Sequence, residues 1–169
     1  MKGIAMPPRF IPRTIIDFIY YYYAKLIISP SAGQQNNYRF IIDRYKRLKN
    51  GEIQISDYDR EIQKLAHEPG TCAFCGKHCE TVPIELIPRR LGGPVGIQNI
   101  VHACTDCAQS KDDKDLLTWW CDELGNNKDS LPRVPAGLFL KMAYELHQIS
   151  FTLKKRCENI REIWPKEHS

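Results

Sequence analysis

Two segments, Cys72-Ala73-Phe74-Cys75-Gly76 and Cys104-Thr105-Asp106-Cys107, decide the fold of this chain. In each segment two residues separate the cysteines, so that one tight turn delivers two sulfurs to the same point. The 28 residues between Cys75 and Cys104 leave room for a hairpin that brings the turns together. Four thiolates close a tetrahedron around zinc with no open position. The spacing therefore predicts a structural zinc ion, with Cys72, Cys75, Cys104 and Cys107 as ligands.

The remaining cysteines are predicted to be free thiols. The chain contains 7 cysteines, and an odd number with two C-x-x-C pairs favours a metal site in a reducing compartment over a disulfide framework. Cys79, Cys121 and Cys157 are left over. His78 or Cys79, just after the first pair, could replace one of the four ligands.

The length and composition predict one globular unit, either a domain with a proper core or a small metal-pinned core wrapped in helices. The chain has 169 residues, of which 43% are hydrophobic and 26% charged, as in ordinary globular proteins. A net charge of +4 is too small to identify a polyanionic partner, so the placement of the basic residues matters more than their sum.

No membrane partner is expected. The apolar run from Ile15 to Ile28 is shorter than the roughly 20 residues of a membrane span, and it carries Asp17 and Lys25. Three prolines, Pro7, Pro8 and Pro12, interrupt any signal-peptide pattern. We therefore expect a cytoplasmic location.

Apolar residues at helical spacing predict helices on both sides of the cysteine segments. The predicted helices cover residues 15–28, 37–49, 56–68 with Ser56 as N-cap, 114–124, and 136–163 in one or two pieces after a loop over 126–135. The tyrosines at 20–23 are interpreted as core, with base stacking as the alternative. These patterns divide the chain into a helical extension (1–70), a zinc-pinned core (71–124) and a loop with a helical segment (125–169), packed as one unit.

The motif between the cysteine pairs resembles the HNH endonuclease family. It consists of Glu85-Leu86-Ile87-Pro88-Arg89-Arg90-Leu91-Gly92-Gly93-Pro94 and Gln98-Asn99-Ile100-Val101, with Lys111 and Trp119-Trp120 after the last cysteine. The resemblance implies an α+β fold: a zinc-pinned β-hairpin plus helix (HNH or ββα type), wrapped by amino- and carboxy-terminal helices. In that family a His is the general base, while an acidic residue and an Asn or His hold one divalent ion.

Three positions depart from the family pattern. Counting back from Pro88, the His position is Glu85 and the acidic position is Ile84, while Ala108 stands at the metal-binding Asn. Alternatively the His is deleted and Glu85 is the acidic residue. Both alignments leave one carboxylate and no imidazole at the family's positions, so Glu85 is the first catalytic candidate. Asn99, which structures the hairpin in the family, is retained.

The other histidines and acidic residues are weaker candidates. His102 could supply a substitute imidazole, although packing beside the cysteines is the preferred interpretation. Asp106 or Asp112 could complete a divergent site. The remaining histidines, His67, His147 and His168, are predicted to face solvent.

Basic residues at two places are candidate phosphate contacts. Arg89 and Arg90 lie at the hairpin turn, where the family meets a duplex backbone. Arg39, Lys46 and Arg47 share one face of a predicted helix, for which an ordinary solvated surface is the alternative. Lys111 is assigned to nucleic-acid contact through the resemblance.

The preferred hypothesis is a nucleic-acid-binding or structural component with a degenerate nuclease site. The alternative is a divergent endonuclease that uses Glu85 and Mg or Mn; a zinc protein that binds only other proteins fits less well. The sequence leaves open whether the chain is an enzyme, and the loss of the family's catalytic positions favours a protein that is not. The sequence also leaves open whether the bound polymer is DNA or RNA. It does not show whether the chain acts alone or inside a larger nucleoprotein assembly.

Overall fold

The computed structural model describes residues 9–165, which form an α+β fold. The helices are α1 (Ile15–Tyr23), α2 (Ser29–Ser31), α3 (Tyr38–Lys49), α4 (Ser56–Ala66), α5 (Thr105–Lys111) and α6 (Arg133–Ile149). The strands are β1 (Thr81–Glu85) and β2 (Ile100–Cys104). Two π-helical segments (Ala24–Ile28 and Thr118–Glu123) and four 3₁₀ turns (Arg89–Leu91, Ile97–Asn99, Lys128–Ser130 and Ile160–Glu162) complete the described elements. The outer ends of the predicted flanking segments, residues 1–8 and 166–169 with His168, lie outside this range.

A long helical segment opens the fold, as the apolar spacing predicts. A capping box starts α1: the backbone N–H of Asp17 donates to Thr14 Oγ1, and the backbone N–H of Thr14 donates to the Asp17 carboxylate. The helix continues through Ala24–Ile28 into α2. Tyr22 and Tyr23 are buried in the core, as the core interpretation of the tyrosine run requires. No helix within residues 9–165 is long and apolar enough to cross a membrane.

Predictions for two helices are wrong in part. Helix α4 begins at Ser56 as predicted, but Ser56 is its first residue rather than its N-cap and makes no capping hydrogen bond; the carboxylate of Asp57 accepts the backbone N–H of Gln54 in front of the helix (2.8 Å). The last long helix ends at Ile149 rather than near residue 163, and it starts earlier than predicted, at Arg133, and includes Pro135. Proline is tolerated there because the first-turn N–H groups of a helix have no intrahelical partner.

The central unit is a two-stranded antiparallel hairpin followed directly by α5. Thr81 pairs with Cys104 at one end of the hairpin and Glu85 with Ile100 at the other. Val101 and Ala103 of β2 are fully buried. Helix α5 contacts both strands, α4 contacts β2, and α6 contacts the 3₁₀ turn before β2. This arrangement fits a ββα-like core, and its buried residues belong to the same hydrophobic cluster as those of the flanking helices.

Candidate metal centre

The first cysteine pair lies in a tight turn ahead of β1. Thr71 and His78 form a β-bridge, and the N–H of Cys72 donates to Lys77 O (2.9 Å). Gly76 turns the chain with φ +74°, a conformation that glycine adopts without steric cost. The turn therefore presents Cys72 and Cys75 on the same side.

The second pair lies where β2 becomes α5. Cys104 ends the strand and caps the helix, because its sulfur accepts the backbone N–H of Cys107 (3.4 Å). The N–H of Ala73 in the first turn donates to His102 O in β2 (2.9 Å). Phe74 packs edge-on against Trp119, with ring centroids 4.9 Å apart. These contacts hold the two pairs together.

The four sulfurs form one cluster whose members all lie within 4.8 Å of one another. Cys75 Sγ and Cys104 Sγ are 3.9 Å apart. Thiolates that bind one zinc ion at about 2.3 Å lie about 3.8 Å from each other in a tetrahedron, so the donor set and spacing fit zinc. Among residues 9–165 this is the single group of three or more His, Cys, Asp or Glu side chains close enough to share a metal ion.

The other candidate ligands and thiols lie outside the cluster. His78 Nδ1 is 3.1 Å from Thr71 Oγ1, and the Cys79 thiol donates to Lys77 O. Cys79 and Cys121 are partly exposed, and Cys157 is buried. None of the seven cysteines forms a disulfide, so the three left over are free thiols, as the sequence predicts.

The cysteines of the cluster influence one another's protonation. Burial works against the thiolate of Cys72, but backbone hydrogen bonds from Cys75, Cys104 and Phe74 outweigh it and lower the pKa to about 7. Burial, together with the neighbouring Cys104 and Cys72, raises the pKa of Cys107 well above its usual range. One thiolate therefore forms readily near neutral pH, whereas four thiolates together require a positive ion among them.

Glu85 lies at the end of β1 without an imidazole beside it. Its carboxylate accepts a hydrogen bond from the Arg89 guanidinium (3.1 Å). His102 lies on the same face of the hairpin, since side chains alternate along strands, but its Nδ1 is 3.2 Å from Thr81 Oγ1. Asp106 and Asp112 are exposed. Within residues 9–165, Glu85 belongs to no group of three potential metal ligands.

The loop between the strands is organised by Asn99, which is fully buried. Its Oδ1 accepts the N–H of Ile87 (2.8 Å), and its Nδ2 donates to Ile87 O (2.8 Å) and Pro94 O (3.0 Å). Both ends of the loop are thus tied to one amide side chain.

Lys111 does not reach the surface on which the resemblance places it. Its side chain is fully buried, and its ammonium donates to Lys114 O (3.2 Å) and Glu85 O (3.5 Å). Burial lowers the pKa of Lys111 to about 8, against the opposing effect of Asp115, Asp113 and Asp112. As it stands, this amine cannot contact a phosphate. A lysine among three aspartates gives no sequence signal for burial.

The arginines of the loop are exposed, and each forms an ion pair. Arg89 pairs with Glu85, and Arg90 donates to the carboxylate (2.9 Å) and backbone oxygen (2.6 Å) of Asp113. Their side chains keep 67% and 54% of their accessible surface. The loop therefore carries two guanidinium groups that solvent and ligands can reach.

The second group of basic residues lies on α3. Arg39, Lys46 and Arg47 are exposed, and Arg47 pairs with Asp43 (2.9 Å) and Glu52 (3.8 Å). Within residues 9–165, Arg39 and Lys46 form no ion pair. Nothing in the described contacts distinguishes this face from an ordinary solvated surface.

One further histidine is placed differently from the prediction. His147 is buried rather than exposed, with Nε2 2.6 Å from Ile163 O and Nδ1 2.7 Å from Thr152 Oγ1. His67 lies 2.8 Å from Ile97 O. His147 therefore holds the segment after α6 against the helix.

Comparison of the chain with family models, curated proteins and solved structures found no match.

Proposed function

We propose that this chain is a zinc-pinned ββα module that binds nucleic acid through the arginine-bearing loop between β1 and β2, as a degenerate relative of the HNH endonucleases. The observation that carries the proposal is the hairpin with α5 and four clustered cysteines, which anchors a loop with two exposed guanidinium groups. Zinc held by four thiolates has no open coordination position, so its role would be to fix the turns.

The electrostatics of the loop support phosphate binding. Guanidinium groups match phosphate oxygens with two parallel hydrogen bonds. The ion pairs of Arg89 and Arg90 are largely exposed, and pairs of this kind contribute only about 0–1 kcal/mol. A phosphate group can therefore replace either carboxylate at small cost.

The surroundings of Glu85 support binding without hydrolysis. Its carboxylate is engaged by Arg89, and His102 bonds to Thr81 instead. Ala108 offers a methyl group where the HNH pattern has a metal ligand. A general base raises the rate of a reaction by about 10²–10⁴-fold. A site that lacks both the general base and this metal ligand should therefore hydrolyse nucleic acid barely above background.

A binding assay on the zinc-loaded chain tests the proposal. Fluorescence anisotropy with labelled duplex DNA, duplex RNA and single strands should detect binding that weakens over roughly 50–200 mM salt. The Arg89→Ala/Arg90→Ala variant should bind about tenfold more weakly or worse, with a salt slope smaller by about two, because two phosphate contacts are lost. The matched control is Lys154→Ala/Lys155→Ala, which removes two charges from another exposed site. Equal affinity and slope for the arginine variant and the wild-type chain would refute the proposed binding edge.

A cleavage assay separates the proposal from the endonuclease alternative. Supercoiled plasmid incubated with the chain in magnesium, manganese or chelator should show no nicking above background. Metal-dependent nicking that Glu85→Gln abolishes would establish the endonuclease and overturn the degenerate site.

A further inference from the structure

An open groove runs between the hairpin loop and the carboxy-terminal end of α6. Its apolar part, about 240 Å³, has a floor of Met142, Leu146 and Trp164. Pro94 and Ile149 stand at its sides. A second hollow of about 420 Å³ shares Gly92, Leu146 and Trp164 with it and adds Arg89 and Arg90. The two hollows therefore form one groove with an apolar part and a cationic part.

The floor of this groove is held by specific hydrogen bonds. The Trp164 indole N–H donates to Leu91 O in the loop (2.7 Å). His147 bonds to the backbone of Ile163, and the Arg161 guanidinium makes a two-pronged contact with Asp122 (2.7 and 2.8 Å). A floor tied down in the free chain loses little conformational freedom when it is covered.

One large apolar side chain that lines the groove remains exposed: Ile149 keeps 78% of its accessible surface. Val95 follows Pro94 in the chain and keeps 72%, and Phe151, two residues beyond Ile149, keeps 95%. An exposed aliphatic side chain that lines a preformed groove is a contact that a protein partner would cover.

The charged side chains that line the groove limit which ligands would fit it. Arg89 and Arg90 line the cationic part, whereas Glu145 lines the apolar part. A matching ligand carries acidic groups beside its apolar anchor, at the arginine end only. We propose that this groove docks a short segment of a partner protein that inserts an aliphatic or aromatic side chain between Pro94 and Ile149 and presents acidic residues to Arg89 and Arg90. This inference does not require nucleic-acid binding.

Selection of peptides on the full zinc-loaded chain tests the docking site. A random peptide display library should yield sequences with an apolar anchor and Asp or Glu on one side of it. Labelled synthetic copies of these peptides should bind Ile149→Glu at least tenfold more weakly. The variant Arg90→Glu should weaken acidic peptides, and replacing their acidic residues by lysine should restore binding. The matched control is Ile11→Glu, at an isoleucine that is 68% exposed on the segment before α1.

The outcomes are distinct. Selected peptides without acidic residues, or peptides that bind wild-type and Ile149→Glu alike, would overturn the proposal, as would a selection that enriches nothing. Light scattering that shows a dimer lost in Ile149→Glu would assign the groove to a second copy of the chain and also overturn it. The uncharged variant Ile149→Ser should also weaken the peptides, but because it adds no charge and leaves both arginines in place it should not change nucleic-acid anisotropy, so failure here is distinguishable from failure of the proposed function.

Discussion

At the scale of single residues, Lys111 is the most costly group in the central unit. It is fully buried, and two backbone oxygens, at 3.2 and 3.5 Å, replace its hydration. Removing an ammonium from water is expensive unless hydrogen bonds and opposite charges compensate. The lowered pKa of about 8 expresses that cost. The benefit is a link between the end of α5 and the end of β1.

The variant Lys111→Met should therefore change stability in a pH-dependent way. Folded wild-type chain releases this proton near pH 8, whereas unfolded chain keeps it until about 10.5. Between these values the unfolded state binds more protons, so the contribution of Lys111 to stability rises with pH. Below pH 8 the Met variant should be as stable as the wild type or more so, and the wild type should gain about 3 kcal/mol relative to it by pH 10.5. Urea unfolding over this range measures the difference. Exposed Lys154→Met is the control, and a pH-independent difference for Lys111→Met would contradict the expectation.

At the scale of elements, the loop between the strands depends on close backbone approach. A Cβ atom at Gly93 would lie 1.8 Å from Ile87 O and 3.0 Å from Asn99 Nδ2. The neighbouring Gly92 has φ +86° but nothing within 4 Å of such an atom. An alanine at Gly93 would therefore cause steric overlap, whereas an alanine at Gly92 would cause only backbone strain.

We expect Gly92→Ala to cost about 1 kcal/mol, because only a left-handed conformation penalises it. Gly93→Ala should cost about 3 kcal/mol or more, because the Asn99 hydrogen bonds must break to make room. Denaturant unfolding of both zinc-loaded variants measures the two values. Equal costs would mean that the loop relaxes around the new methyl group.

Local patterns predicted some elements well and others poorly. The periodicity and caps of α1 and α3 lie within contiguous sequence, so these helices were predictable, and so was the cysteine cluster. The end of α6 was not, because the apolar spacing continues past Ile149, whereas the helix stops there. The burial of Lys111 and His147 follows from contacts with residues 26 and 16 positions away, which no local pattern records. The groove joins a loop, a helix and Trp164, and its existence also depends on tertiary packing.

At the scale of the whole molecule, two different interactions stabilise the fold. The helices bury Ile19, Ile62 and Leu138 completely and contact one another directly. The turn over residues 70–79 lies outside the named helices and strands and contributes Cys72 and Phe74 to the core. Structural zinc supplies folding free energy to such turns. The metal should therefore be needed most around the cysteines.

Zinc removal should expose this difference. Purified chain should contain about one zinc ion, and Cys104→Ser should lose it, because three thiolates no longer close the tetrahedron. Hydrogen exchange after chelation, or in Cys104→Ser, should accelerate most in residues 70–79 and 104–111, while α1 and α6 stay protected, because local opening follows local stability. The matched control Cys79→Ser changes a cysteine outside the cluster and should keep both zinc and protection. Loss of protection throughout the described chain would show one cooperative unit instead, whereas an unchanged exchange pattern in a zinc-free chain would exclude a structural metal.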